Sequence, residues 1–202
     1  MRCPPFLRFP LLVSICVGVA VFLAGCSNHP TLSAQFTPSA TAPALGLVKL
    51  VERSRSGSRV LVDVLLYGPD PGLDLFAFKF GIMIGNDTLV RLVPQSTYNQ
   101  TALVAGDGQS ISINVDAASD PSLIQVDVGK DGGAGNAVAV PSAIVLEVSF
   151  DVQAAGTTTL TLVGLGGEPP HAVDSSDAPI AAVHFDAASA TVTGVSSGGS
   201  GY

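Results

Sequence analysis

The chain contains no tryptophan, and among its 202 residues there are only three cysteines, two methionines and three tyrosines. Charged residues make up 12%. Each shortage excludes something. Without tryptophan, a broad aromatic platform for stacking flat sugar faces is hard to assemble. Cys3 and Cys16 lie in the N-terminal stretch and the third cysteine is Cys26, so nothing beyond Cys26 can form a disulfide or a thiolate metal site. Basic residues are scarce as well. Setting aside Arg2 and Arg8, seven of the nine remain against sixteen acidic ones, a balance of −9. Nucleic-acid binding needs clustered Lys and Arg, and no such cluster stands out. Helical periodicity is missing too.

What is present begins with an export pattern. Arg2 and Arg8, with no acid nearby, precede an apolar run from Leu11 to Ala24 whose one clearly polar member is Ser14. The run is shorter than the ~20 residues a spanning helix needs, and its basic flank is that of a secretory signal. Leu23-Ala24-Gly25-Cys26 closes it and resembles the lipobox of bacterial lipoproteins. That resemblance implies cleavage before Cys26, lipidation of its sulfur and, because Ser27 is not aspartate, sorting to the outer rather than the inner membrane. Two or more acyl chains anchor stably where one does not. The expected organisation is a signal over residues 1–25, a lipidated tether over 26–45 rich in Ser, Thr, Ala and Pro, a folded domain over 46–196 and a Gly/Ser-rich tail over 197–202.

From Leu47 onward apolar and polar residues alternate. Val60, Val62, Val64 and Leu66 form one such series; Phe76, Phe78, Phe80, Ile82 and Ile84 a second; Ile111, Ile113 and Val115 a third; Ile124, Val126 and Val128 a fourth; and Ile144, Leu146, Val148, Phe150 and Val152 a fifth. A period of two marks strands with one buried and one wet face. Further strands are expected at 47–53, 88–93, 157–163 and 188–195. Turn residues separate them, as at Gly68-Pro69-Asp70-Pro71-Gly72 and Gly85-Asn86-Asp87. About nine short strands with regular turns predict an all-β fold, an antiparallel immunoglobulin-like sandwich. The phenylalanine series shares the inward parity of a central strand and reads as core, not as a sugar-stacking stripe.

The order of these segments resembles the cohesin domain, within the cohesin and carbohydrate-binding-module superfamily. The likeness runs from about Leu47 to Val195. It rests on Arg59 to Leu66, on Gly72 to Ile82 with its aromatic-rich strand, on Thr88 to Val93, on Ala143 to Val152 followed by Gly156 to Leu162, and on the closing Ala190 to Val195. Where the family has tyrosine-aspartate-proline after its third strand, this chain has Ile84-Gly85-Asn86-Asp87. The resemblance implies a nine-stranded jelly roll that binds and does not catalyse, holding a dockerin-type or other protein through one sheet face. Carried over by position, the outward residues are Ala77, Lys79, Ser112, Asn114, Gln125, Asp127, Thr159 and Thr161. A solvated sheet side with no partner has the same polar pattern. Carbohydrate binding is the alternative, with Tyr67 and Tyr98 as candidate contacts.

Catalytic and metal signatures are sparse. His29 lies in the expected tether, and His184 sits in an apolar run. His171-x-x-Asp174-x-x-Asp177 could converge on a cation but is also an ordinary polar loop. Asp127, Asp131 and Asn136 lack the ligand-every-second-residue pattern of a calcium loop. No phosphate loop or serine elbow occurs. The reading is therefore no enzyme, no cofactor and no metal; a membrane is contacted through the lipid only.

Overall fold

The computed structural model describes residues 31–68, 72–106, 109–135 and 141–197. The expected signal, Cys26, Asn136 and residues 198–202 lie outside the described residues. The strands are β1 (Thr31–Thr37), β2 (Leu47–Ser56), β3 (Arg59–Tyr67), β4 (Ala77–Ile84), β5 (Val90–Val93), β6 (Ile111–Asp116), β7 (Leu123–Lys130), β8 (Ser142–Val152), β9 (Gly156–Val163), β10 (His171–Val173), β11 (His184–Phe185) and β12 (Ala190–Ser197). No helix occurs among the described residues. One sheet runs β1-β12-β9-β4-β7-β6, with β10 also pairing β4; the other runs β11-β2-β3-β8-β5. Pairing is antiparallel throughout except between β11 and β2.

The period-two pattern dictates how the layers meet. Val60, Val62, Val64 and Leu66 of β3 are fully buried, as are Phe78, Phe80 and Ile82 of β4 and Ile124 and Val128 of β7. With Leu146, Val148 and Phe150 of β8 they form one continuous core. Burying each such side chain stabilises the fold by about 1.5–3 kcal/mol. Phe80 also packs against Phe185, with ring centroids 5.5 Å apart.

All nine expected strands are present, and β1, β10 and β11 are additional. The tether expected over 26–45 is corrected by β1, which pairs with β12 from Thr31↔Ser197 to Thr37↔Thr191. Leu32, Ala34 and Phe36 do alternate with polar residues, and Ala34 and Phe36 are buried; the surrounding Ser, Thr and Pro content masked that signal. The folded unit therefore takes in Thr31 and the residues after it, not only those from 46 onward. Two parity expectations also change. The register slips between Val64 and Leu65 opposite β8, so Val145 is an extra, bulged residue. It turns inward with Ala143, while Ile144 is half-exposed. At the start of β4, Leu75 is buried and Phe76 only half-buried.

The segment joining β1 to β2 is fastened by a buried polar network. Lys49 stands in the apolar run Leu47-Val48-Lys49-Leu50, yet it is buried. Its Nζ donates to the carbonyl of Ser39 at 2.8 Å and to that of Thr41. Asp186 accepts from the hydroxyls of Ser39 and Thr41 and from the amide of Ala188. Burial pushes the Asp186 carboxyl up. The bonds from Ser39, Ala188 and Thr41 and the charge of Lys49 together outweigh it and hold the group below its ordinary value.

Candidate docking face

Antiparallel register sets side chains side by side across the outer face of the larger sheet. Asn114 of β6 lies opposite Asp127 of β7, Asp127 opposite Lys79 of β4, and Lys79 opposite His171 of β10. Four polar side chains thus form one row across four strands. The next row holds Asp116, Gln125, Gly81 and Val163. Cross-strand neighbours of this kind have Cβ atoms about 5 Å apart.

Between these rows and residues 164–170 lies a depression of about 440 Å³, lined by Lys79, Asn114, Asp116, Gln125, Asp127, Leu165, Glu168 and His171 among others. Beside it, the side chains of Leu123, Val163 and Leu165 close over Gly81 to form an apolar corner. A Cβ there would sit 2.8 Å from Leu123 Cδ1 and 3.1 Å from both Leu165 Cδ2 and Val163 Cγ2. The segment carrying Glu168 folds back so tightly that a Cβ on Gly164 would lie 1.7 Å from the Glu168 carbonyl oxygen. Met83, on the same outer parity as Gly81, is 36% exposed.

Polar capacity in the depression is largely unspent. Lys79 pairs with Asp177 at 3.0 Å, and His171 Nδ1 bonds the carbonyl of Pro169 at 2.7 Å. Asp116 caps its own turn through the amide of Ala118. The side chains of Asp127, Glu168, Asn114 and Gln125 have no hydrogen-bond or ion-pair partner among the described residues.

Of the eight residues expected on this face, Lys79, Asn114, Gln125 and Asp127 converge on the depression. Ser112 is exposed one row away, opposite Gly129. Ala77 is corrected: it has the outward parity but is only 6% exposed, so it offers no contact surface. Thr159 and Thr161 lie on β9, which pairs only with the far half of β4, and Thr161 is bonded to Ser189. The place beside Lys79 belongs to β10. Asp116, Leu165 and Glu168 were missed, because Leu165 and Glu168 belong to the segment that separates β9 from β10 and carry no periodic signal. His171 drew attention only as a possible metal ligand. Among the described residues no group of three or more His, Cys, Asp or Glu is placed to hold a metal ion.

The outer face of the smaller sheet is different. The register slips between Glu52 and Ser54, leaving Arg53 as the extra residue. Its Nε reaches both Asp63 carboxylate oxygens at 3.0 Å, and its Nη1 lies 3.1 Å from Glu147. Asp63 and Glu147 are direct cross-strand neighbours. Burial raises the Asp63 pKa and Glu147 adds to it; the bond and charge of Arg53 offset only part of this.

A second concavity of about 450 Å³ opens beside β5 and the end of β6, lined by Arg91, Leu92, Pro94, Tyr98, Val115, Asp116, Ala117, Ala118 and Pro121. Tyr67 is not among its walls.

No protein-family model matches the chain, and no curated protein matches it. Solved structures similar to it include cohesin modules of Acetivibrio cellulolyticus. The type II cohesin dyad of the adaptor ScaA scaffoldin is 9% identical with a TM-score of 0.48, over 73% of this chain and 48% of that one, so this chain spans about half of the dyad. A type II cohesin domain from the cellulosome is 10% identical with a TM-score of 0.44, over 78% and 92%. A chain of a type II cohesin–X–dockerin complex gives 9% and 0.45, over 71% and 94%. They are modules of the family that the sequence resembles.

Proposed function

We propose that this protein is a non-catalytic docking module held at the cell envelope by a lipid on Cys26, and that it binds a protein partner, dockerin-type or other, on the outer face of its larger sheet. The observation that carries the docking reading is the row Asn114–Asp127–Lys79–His171 beside the apolar corner at Gly81. The side chains of Asn114 and Asp127, which have no partner among the described residues, next to the half-buried Leu123, Val163 and Leu165 suit an interface, where a dry centre gives affinity and polar atoms give register. The carboxylates of Asp116, Asp127 and Glu168 outnumber the one lysine of the depression, whose ammonium is already paired. The complementary partner surface is therefore basic.

The anchor reading rests on the lipobox-like Leu23-Ala24-Gly25-Cys26. Because β1 begins at Thr31, only residues 27–30 separate Cys26 from the sandwich. Fully extended, the five backbone steps from Cys26 to Thr31 reach no more than about 16–18 Å, so the module lies close to the bilayer surface. Mass spectrometry of the mature chain should find acyl groups on Cys26, and none in Cys26→Ser.

A pull-down from membrane extracts tests docking. Wild type should retain a protein that Asp127→Lys loses, and unchanged retention by that variant would exclude this face. Carbohydrate is the second reading, favoured by Tyr98 beside Arg91 and Asp116 in the other groove. Glycan binding abolished by Tyr98→Ala would favour it.

A further inference from the structure

The larger sheet ends on β6, and the pairing there leaves half of that strand's backbone groups unspent. The amide of Asp131 donates to the carbonyl of Ser110 at 3.0 Å. Continuing that register, Ser112, Asn114 and Asp116 exchange hydrogen bonds with β7, and Ile111, Ile113 and Val115 turn their N–H and C=O groups away from it. None of these outward groups has a partner among the described residues.

The other edges are shorter or partly spent, as where the amide of Ala34 in β1 donates to the carbonyl of Gly57. β5 has four residues and β11 two, and Pro30 and Pro38 bracket β1. β6 reads Ile-Ser-Ile-Asn-Val-Asp, with no lysine, no proline and no inward charge, the devices that normally discourage edge pairing. Its inward side chains Ile111, Ile113 and Val115 pack on the core and are only partly covered.

We infer that β6 pairs antiparallel with β6 of a second copy of this chain, about a two-fold axis at Ile113. The strand is complementary to itself in that register. Ile113 meets its own copy and Ile111 meets Val115, so the residues with free backbone groups face one another and about six hydrogen bonds close. On the outer face Ser112 meets Asn114, a polar pair at close spacing. Asp116 falls opposite Ser110. The two Asp116 carboxylates stand at opposite ends of the pairing, about 20 Å apart by strand rise, beyond the ~8 Å screening length of physiological salt. An isologous contact of this kind closes at two chains. It also joins the two outer faces, so that two copies of the Asn114 row would present paired docking sites to one side, an arrangement that favours a bivalent partner.

Sedimentation velocity of the full chain in density-matched detergent tests the pairing without any partner. The mass should rise from one chain to two with concentration. Ile113→Pro deletes an N–H that β7 does not use, so this variant should stay folded as one chain at every concentration, its melting temperature lowered only by the core packing that Ile113 supplies. Ile113→Lys, an edge lysine, should also remain one chain, at a lower melting temperature because position 113 faces the core. Ser112→Pro deletes an N–H of the β7 ladder and should lower the melting temperature. A wild type of single-chain mass throughout, or a dimer that survives Ile113→Pro and Ile113→Lys, would overturn the inference.

Discussion

The two outer faces of the sandwich handle charge in opposite ways. On the smaller sheet, Asp63 and Glu147 share the guanidinium of Arg53, and the face is electrostatically closed on itself. On the larger sheet, Asp127 and Glu168 find no partner among the described residues, and Lys79 is turned toward Asp177, in the loop after β10. Internal pairing removes groups from recognition, because a partner would first have to break it. Unspent groups over an apolar corner cost the free protein little while water solvates them, and they become specific once a partner displaces that water. The contrast separates a face built for stability from one available for contact.

Four substitutions sharpen that contrast, from the largest effect to the smallest. Phe80 lies beneath both faces, so Phe80→Ala should cost about 3–5 kcal/mol in urea unfolding and weaken partner binding with it. Loss of binding at full stability would mean that the core does not support the docking face.

Asp186 should come next. Asp186→Asn leaves Lys49 buried without its counter-charge and should cost about 1–3 kcal/mol at pH 7. The folded-state pKa of Asp186 lies below its unfolded value. Its stabilisation is therefore fully present above the unfolded value and is lost as pH falls through the folded one. The gap between wild type and Asp186→Asn should narrow below about pH 4; a constant gap in unfolding midpoints would contradict this assignment.

Arg53→Ala tests the closed face. Asp63 and Glu147 would face each other without a cation, at a cost of about 1 kcal/mol given the partial exposure of Arg53. Asp63 has the opposite sign from Asp186. Its folded pKa is raised, so its charged form costs stability above that pKa, and the cost is relieved as pH falls. The variant should therefore recover part of its deficit as pH falls through the raised Asp63 pKa, and a deficit that grows in acid would count against it.

Asp127→Lys on the open face should change stability by no more than about 0.5 kcal/mol and reduce binding of a basic partner tenfold or more. A destabilisation as large as that of Arg53→Ala would remove the distinction between the two faces.

Much of this architecture was legible in the sequence. Val60 to Leu66 and Phe78 to Ile84 announce their buried faces because a strand's side chains alternate whatever they pack against. The polar residues Lys79, Asn114, Gln125 and Asp127 could be assigned outward for the same reason. Strand β1 was also legible, through Leu32, Ala34 and Phe36, but its composition resembles that of a linker. The bulge at Val145 was not legible, since one inserted residue reverses parity without leaving a mark in composition.

The amino-acid order alone determined that two β layers would enclose an apolar interior, because alternation is a local property of each strand. Only the tertiary structure decided which strands lie side by side. It brought His171 next to Lys79, folded Leu165 over Gly81, buried Lys49 against Ser39 and Thr41, and left the outer edge of β6 without a pairing strand among the described residues. Those outcomes depend on register between segments far apart in the chain, and register is settled by the fit of whole faces.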